Sequence, residues 1–483
     1  MNYKMIGRIL SQILMLEAVL MLPSVVWCVI DREPQITAAF AVSVALTLAV
    51  GGVLWLVCRT APHGFYAREG FVCVGISWIA LSVMGCLPFF LSREIPHFVD
   101  ALFEIVSGFT TTGASILPAV ETLPRGLLFW RSFSHWLGGM GVLVFLLAIV
   151  SAGRSPGFTL HLLRAESPGP DVGKLVPRMR QTASLLYIIY IVLTLINIVF
   201  LLAGNMPLFD ALCTAFGTAG TGGFGIRNDS MGSYSPYIQN VCTVFMLLFG
   251  VNFTLHYMIV LRRFRAVALD EELRLYLGAV VGCTALIAWN IRGMYATVGE
   301  TIRHAAFQVA SIITTTGFSS TDFDRWPVFS KTILLGLMVL GACAGSTGGG
   351  FKCGRILLVV KNMARAVRQQ LYPQRVQVVR INRQVVGERV LLNVSAFLAA
   401  YALILAGSVL IVSLDGFSIE TNLSAVVSCF NNIGPGLDRV GPMCSFAEYG
   451  VVSKLVLILD MLAGRLEIFP ILALFARSTW RKR

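Results

Sequence analysis

Four glycine-centred tetrads recur along this apolar chain: Thr111-Thr112-Gly113-Ala114, Thr221-Gly222-Gly223-Phe224, Thr315-Thr316-Gly317-Phe318 and Asn432-Ile433-Gly434-Pro435. Aligning the glycines also brings the preceding segments into register: 100–109, 210–218, 304–313 and 421–430. Each segment makes a helix of ~15 Å, half the thickness of a bilayer core. Such a segment cannot span. If it stops mid-membrane, protein or water must surround its end, because lipid cannot satisfy its free carbonyls. Its C-terminal end carries partial negative charge, which favours a cation at the centre. Four such units in one chain meet the requirement of a cation filter: four strands of backbone carbonyl around one axis.

The composition agrees. The chain has 483 residues, 56% hydrophobic and 13% charged, about half the ~25% charge of soluble proteins. Long apolar runs without a polar face exclude a large soluble core and predict a polytopic membrane protein. The first run, near Ile9 to Ile30, exceeds a signal-peptide h-region and lacks a clear small-residue cleavage site, so it reads as a retained helix. The 11 cysteines include no CxxC pair, and the 6 histidines show no metal-ligand spacing. The net charge of +13 raises nucleic acid only until its distribution is read. Of the 38 Lys and Arg, 26 fall in 1–8, 58–70, 152–182, 262–274, 352–390 and 477–483. That pattern is the positive-inside bias, and it predicts that both termini are cytoplasmic.

The expected fold is an all-α polytopic membrane protein. An N-terminal transmembrane pair (1–60) precedes four parallel M1-P-M2 repeats around a pseudo-fourfold pore, at 61–182, 183–274, 275–390 and 391–483. Each repeat has a spanning helix, a half-helix with its tetrad, and a second spanning helix. Ten full crossings and four half-crossings result, with every basic inter-repeat loop on one side.

Within the tetrads, glycine at the third position accepts backbone angles that a Cβ resists. Thr111, Thr112, Thr315 and Thr316 can add side-chain oxygens. Gly222 and Ile433 break that pattern, so backbone oxygen must carry the site. The third repeat also holds Gly341-Ala342-Cys343-Ala344-Gly345-Ser346-Thr347-Gly348-Gly349-Gly350, which weakens a helix by up to ~1 kcal/mol per glycine. Tight helix crossing is the bland reading of that run. A Walker A loop fails, because Gly350-Phe351-Lys352 lacks the GK step. Lys352 is expected at the cytoplasmic mouth. Arg465 falls near mid-membrane, so it should face a water-filled cavity or a carboxylate. Glu104 is expected to pair with Arg131 or to cap backbone behind the tetrad. Lys454 reads as a snorkelling residue, and His135 as a satisfied packing residue.

With these residues, the chain resembles the Trk/Ktr/HKT superfamily of potassium transporters, specifically the TrkH type. The resemblance rests on Ser107-Gly108-Phe109-Thr110-Thr111-Thr112-Gly113-Ala114, on His135-Trp136-Leu137-Gly138-Gly139-Met140-Gly141 and on Asn431-Asn432-Ile433-Gly434-Pro435-Gly436. Gly464-Arg465-Leu466-Glu467-Ile468-Phe469 and the extra N-terminal helix pair add to it. It implies that Thr111, Thr112, Gly113, Thr221, Gly222, Gly223, Thr315, Thr316, Gly317, Asn432, Ile433 and Gly434 line a potassium filter. It also implies a gate of Gly345, Ser346, Thr347, Gly348, Gly349, Gly350 and Arg465. A glycine at 113, where sodium-selective plant relatives carry serine, points to K+ as the transported ion.

The resemblance further implies a homodimer in a bacterial inner membrane, over a cytosolic ring of TrkA-type nucleotide-binding subunits. No nucleotide site is expected in this chain. The basic segment 361–392 is read as docking that partner, or as enforcing topology and touching anionic membrane lipid. Proton- or sodium-coupled potassium symport is the alternative to channel-like conduction. An enzyme would need clustered His, Asp or Ser groups, and none is evident.

Overall fold

The computed structural model describes residues 1–60, 67–141 and 179–480. The N-terminal unit is Tyr3–Leu20, Leu22–Ile30 and Pro34–Cys58. Gly51 lets the third of these helices approach Ser11 and Met15 of the first, the small-residue contact that lets membrane helices close up.

Four repeats follow. Their outer helices are Ala67–Gly85, Met179–Ala203, Glu271–Asn290 and Glu388–Val412. Their half-helices are Phe98–Phe109, Leu208–Gly220, Val298–Ile313 and Ile419–Phe430. Local chemistry sets where several of these begin. The Thr297 hydroxyl accepts from the Glu300 N–H (3.1 Å), and Ser418 from the Thr421 N–H (3.1 Å). Pro124, Pro207 and Pro327 stand just before their helices, where a missing N–H costs nothing.

Against the ten crossings expected from the sequence, the described residues hold six helices long and apolar enough to cross uninterrupted, two at the N-terminus and the outer helix of each repeat, and a seventh if the bent inner pair of the second repeat is one span. The inner helices are shorter or broken. The first, Arg125–Gly139, stops before Gly141; its expected continuation to 151, with the basic loop to 178, lies outside the described residues. The second, Pro236–Phe249 and Phe253–Val260, bends by 95°. The third, Val328–Leu340, leaves the helix entirely and resumes at Cys353–Leu371. The fourth, Val451–Arg465, turns at Leu466-Glu467-Ile468 into Phe469–Phe475. Only the third break carries a long glycine run.

Beyond Cys353–Leu371, the basic segment closes into a two-stranded hairpin that pairs Arg380 with Val385 and Ile381 with Gln384. The helix before it is tied to the bundle by ion pairs of Lys361 with Glu271 and of Arg365 with Glu388, and the hairpin itself through Asn382, which accepts from the Glu271 N–H (2.9 Å) and donates to Asp270 (2.7 Å). The result is an all-α, multi-pass membrane protein, with this short hairpin as its only β-structure among the described residues.

Candidate functional site

All four half-helices end in the same way. In the first, the Thr112 N–H reaches back to the Ser107 carbonyl (2.9 Å) and the Thr111 N–H to Gly108 (3.1 Å). The same pair recurs as Gly222 to Gly217 and Thr221 to Thr218, as Thr316 to Ser311 and Thr315 to Ile312, and as Ile433 to Ser428 and Asn432 to Cys429. This is the Schellman motif, whose left-handed residue is usually glycine. Here it is Thr111 (φ 56°), Thr221 (53°), Thr315 (58°) and Asn432 (56°). A non-glycine residue in that region costs on the order of 1–3 kcal/mol, and the fold carries it at four equivalent places.

Two residues on, Gly113 (φ 80°), Gly223 (73°), Gly317 (85°) and Gly434 (106°) return to positive φ. Their surroundings close a circle. A Cβ added at Gly113 would collide with the Gly222 carbonyl, at Gly223 with Thr316, and at Gly317 with Ile433; at Gly434 it would lie 2.8 Å from the Thr112 oxygen. Each strand therefore abuts the next, and the fourth returns to the first. Among the described residues, no backbone N–H donates to the carbonyls of Thr112, Gly222, Thr316 or Ile433. Those four residues are buried, and buried carbonyls are almost always paired. A ring of free carbonyl oxygens suits water or a cation.

The strands are braced differently. Thr112 Oγ1 lies 2.8 Å from Thr110 Oγ1 and accepts from Asn432 Nδ2 at 3.0 Å, tying strand one to strand four. Thr316 Oγ1 lies 2.7 Å from Thr314 Oγ1. Behind strand one, buried Glu104 pairs with Arg131 (2.5 Å) and accepts from the Ile116 N–H (2.9 Å) and the Ser115 hydroxyl (3.0 Å). Both expected roles of Glu104, pairing and backbone capping, are present.

Residues 341–352 lie against one end of the ring. The Gly349 N–H donates to Thr315 Oγ1 (2.6 Å), and a Cβ at Gly348 would stand 2.9 Å from the Thr314 carbonyl. Three other places hold this loop. Glu272 Oε1 accepts from the N–H groups of Ala344 (2.7 Å) and Gly354 (2.8 Å). The break in repeat two contributes Phe253 N–H to Gly345 O (3.0 Å) and Gly250 O to Cys343 N–H (3.1 Å). Arg465 donates through Nη1 to Thr347 O (2.9 Å) and through Nη2 to Gly139 O (2.6 Å) and Gly138 O. One guanidinium thus joins repeats one, three and four. The ring, loop 345–350 and Arg465 are contiguous.

Two expectations, those for Lys454 and Lys352, are corrected. Arg465 is half-buried and fans across backbone carbonyls, two of them at a helix C-terminus where partial negative charge collects. Glu467, its neighbour in sequence, pairs instead with Arg355, and Asp460 accepts from Ser408 (2.8 Å). Lys454 does not snorkel. It is 6% exposed, and its Nζ lies 2.6 Å from Asp100 Oδ1, across 354 residues of sequence. Lys352 is 2% exposed and donates to Gly348 O inside the loop rather than standing at an open mouth.

Sequence reasoning missed Glu272, whose carboxylate holds backbone far along the chain and leaves no local signal. Among the described residues, no group of His, Cys, Asp and Glu is arranged to hold a metal ion.

Comparison with known proteins gives one answer. A sequence model of the TrkH family, described as "Cation transport protein", matches residues 36–482. The chain is 37% identical over 492 residues to the Trk system potassium uptake protein TrkH of Salmonella typhimurium, covering 100% of both chains. The Escherichia coli K12 protein of the same name is equally similar, and E. coli TrkG is 33% identical across 95% of each chain. The crystal structure of the potassium transporter TrkH from Vibrio parahaemolyticus superposes with a TM-score of 0.88 at 33% identity, covering 100% of both chains.

Proposed function

Because the chain belongs to the TrkH family of cation transport proteins, we propose that it takes up potassium across the bacterial cytoplasmic membrane, along the axis of the four tetrads. One observation carries the reading: four strands, each abutting the next, present buried carbonyls that no backbone N–H occupies among the described residues. Such oxygens can replace an ion's hydration shell. The relatives named potassium uptake proteins favour K+ as that ion.

Loop 345–350 and Arg465 act as the gate. Conduction needs Thr347 to part from Arg465, and Gly349 to part from Thr315. The helix Cys353–Leu371 continues from the loop into the basic hairpin. A cytosolic TrkA-type ring bound there would pull on the loop directly, within a homodimer whose termini face the cytoplasm.

The test is flux of K+, Rb+ and Na+ through the purified chain in liposomes, with and without a TrkA-type partner and nucleotide. Potassium and rubidium flux above sodium is expected. Absence of potassium flux under every condition removes the transport claim and leaves the fold.

A further inference from the structure

The second residue of each tetrad is Thr112, Gly222, Thr316 or Ile433, and Gly222 alone has no side chain. Its φ lies outside the left-handed region, so backbone conformation does not demand glycine there. Space does. A Cβ at Gly222 would fall into the imidazole of His135, against Cγ, Nδ1 and Cδ2. The ring of His135, fully buried on the inner helix of repeat one, fills the space beside Gly222.

Its partners fix its state. Nδ1 lies 2.7 Å from the carbonyl of Gly108, in the last turn of half-helix one. A carbonyl only accepts, so Nδ1 carries the hydrogen. Nε2 lies 3.3 Å from the backbone nitrogen of Phe224, the fourth residue of strand two. An amide only donates, so Nε2 is bare. His135 is therefore neutral, in one tautomer, and bridges half-helix one to strand two.

One helical turn away, Arg131 completes the brace. Its guanidinium stands 3.5 Å from the Phe224 ring centroid, and Nη1 donates to Gly225 O at 2.8 Å. Its Nε binds Glu104, which holds Ser115 and Ile116 beyond strand one. The imidazole lies 4.1 Å from the same Phe224 ring. Phe224 is thus held between Arg131 and His135. Strands one and three are anchored by threonine hydroxyls, which strand two lacks at Gly222.

We infer that His135 is a positioning residue that sets the ion preference of the ring by holding strand two in place of a tetrad side chain. The inference rests on the potassium reading above. Carbonyl filters discriminate through the number and placement of their oxygens, so a strand released at Phe224 admits sodium more readily.

The test is the K+/Na+ flux ratio in liposomes, a quantity that does not depend on how much protein folds. An Asn amide can keep the bond to Gly108 but falls short of Phe224. A Gln carbonyl can reach the Phe224 N–H. Loss of that one hydrogen bond predicts that H135N lowers the ratio on the order of two- to tenfold, whereas H135Q retains it. A double-mutant cycle supplies a second arm. G222A lowers the ratio in the wild-type background, where its methyl meets the imidazole, and adds nothing in H135A. H135N and H135Q both matching wild type, or G222A acting equally in both backgrounds, would overturn the inference. A wild-type protein with no K+ preference defeats the potassium reading itself, a distinct outcome.

Discussion

Replacing Arg465 by alanine tests the gate most sharply. Of the hydrogen bonds described for this guanidinium, only Nη1 to Thr347 O crosses to the loop; those to Gly138 and Gly139 tie repeat four to repeat one. A hydrogen bond from a charged donor contributes about 1.5–3 kcal/mol net. If opening breaks that bond, its removal shifts the closed–open balance by about 10- to 150-fold, at ~1.4 kcal/mol per decade. The other contacts that hold the loop, Gly349 to Thr315 and Ala344 to Glu272, are untouched by the substitution. R465K keeps the charge, but one ammonium cannot fork across three carbonyls, so its effect should be intermediate. The assay is the initial rate of rubidium uptake into liposomes without a partner subunit, normalised to incorporated protein. An R465A rate at or below wild type would refute the reasoning.

Two further predictions concern the supports. R131Q leaves Glu104 as an uncompensated buried carboxylate and should cost about 3–5 kcal/mol, read as a lowered Tm of the detergent-solubilised protein. E104L combined with R131M does not restore the loss, because Ile116 N–H and Gly225 O lose their partners too. E272A removes the acceptor shared by the Ala344 and Gly354 amides; hydrogen exchange across 341–354 should accelerate by about tenfold or more for one charge-assisted bond, with the half-helices unchanged.

The half-helices were legible in the sequence because a short motif recurs four times in register, and repetition separates it from chance. The break at 341–352 was legible because glycines announce it. The break at Leu466-Glu467-Ile468 was not. Glu467 (φ 59°) and Ile468 (φ 62°) are left-handed without being glycine, and Glu467 is held by the Arg355 ion pair from the third repeat. Tertiary contact, not local propensity, sets that turn. The same holds for the Thr and Asn residues that cap the half-helices, where glycine is the usual signal. Lys454 read as snorkelling because its aspartate lies 354 residues away. His135 read correctly as satisfied, yet nothing near it in sequence announced Phe224, 89 residues on.

The central claim, that the four tetrads form the potassium path, is tested most directly by comparing K+, Rb+ and Na+ flux through wild type and G113S. Gly113 sits at φ 80°, with the Gly222 carbonyl where a Cβ would go, so serine must displace strand two. Wild type should pass potassium and rubidium well above sodium, and G113S should lose that preference. A mutant that keeps the wild-type preference, or a wild type that passes sodium as readily as potassium, would contradict the account.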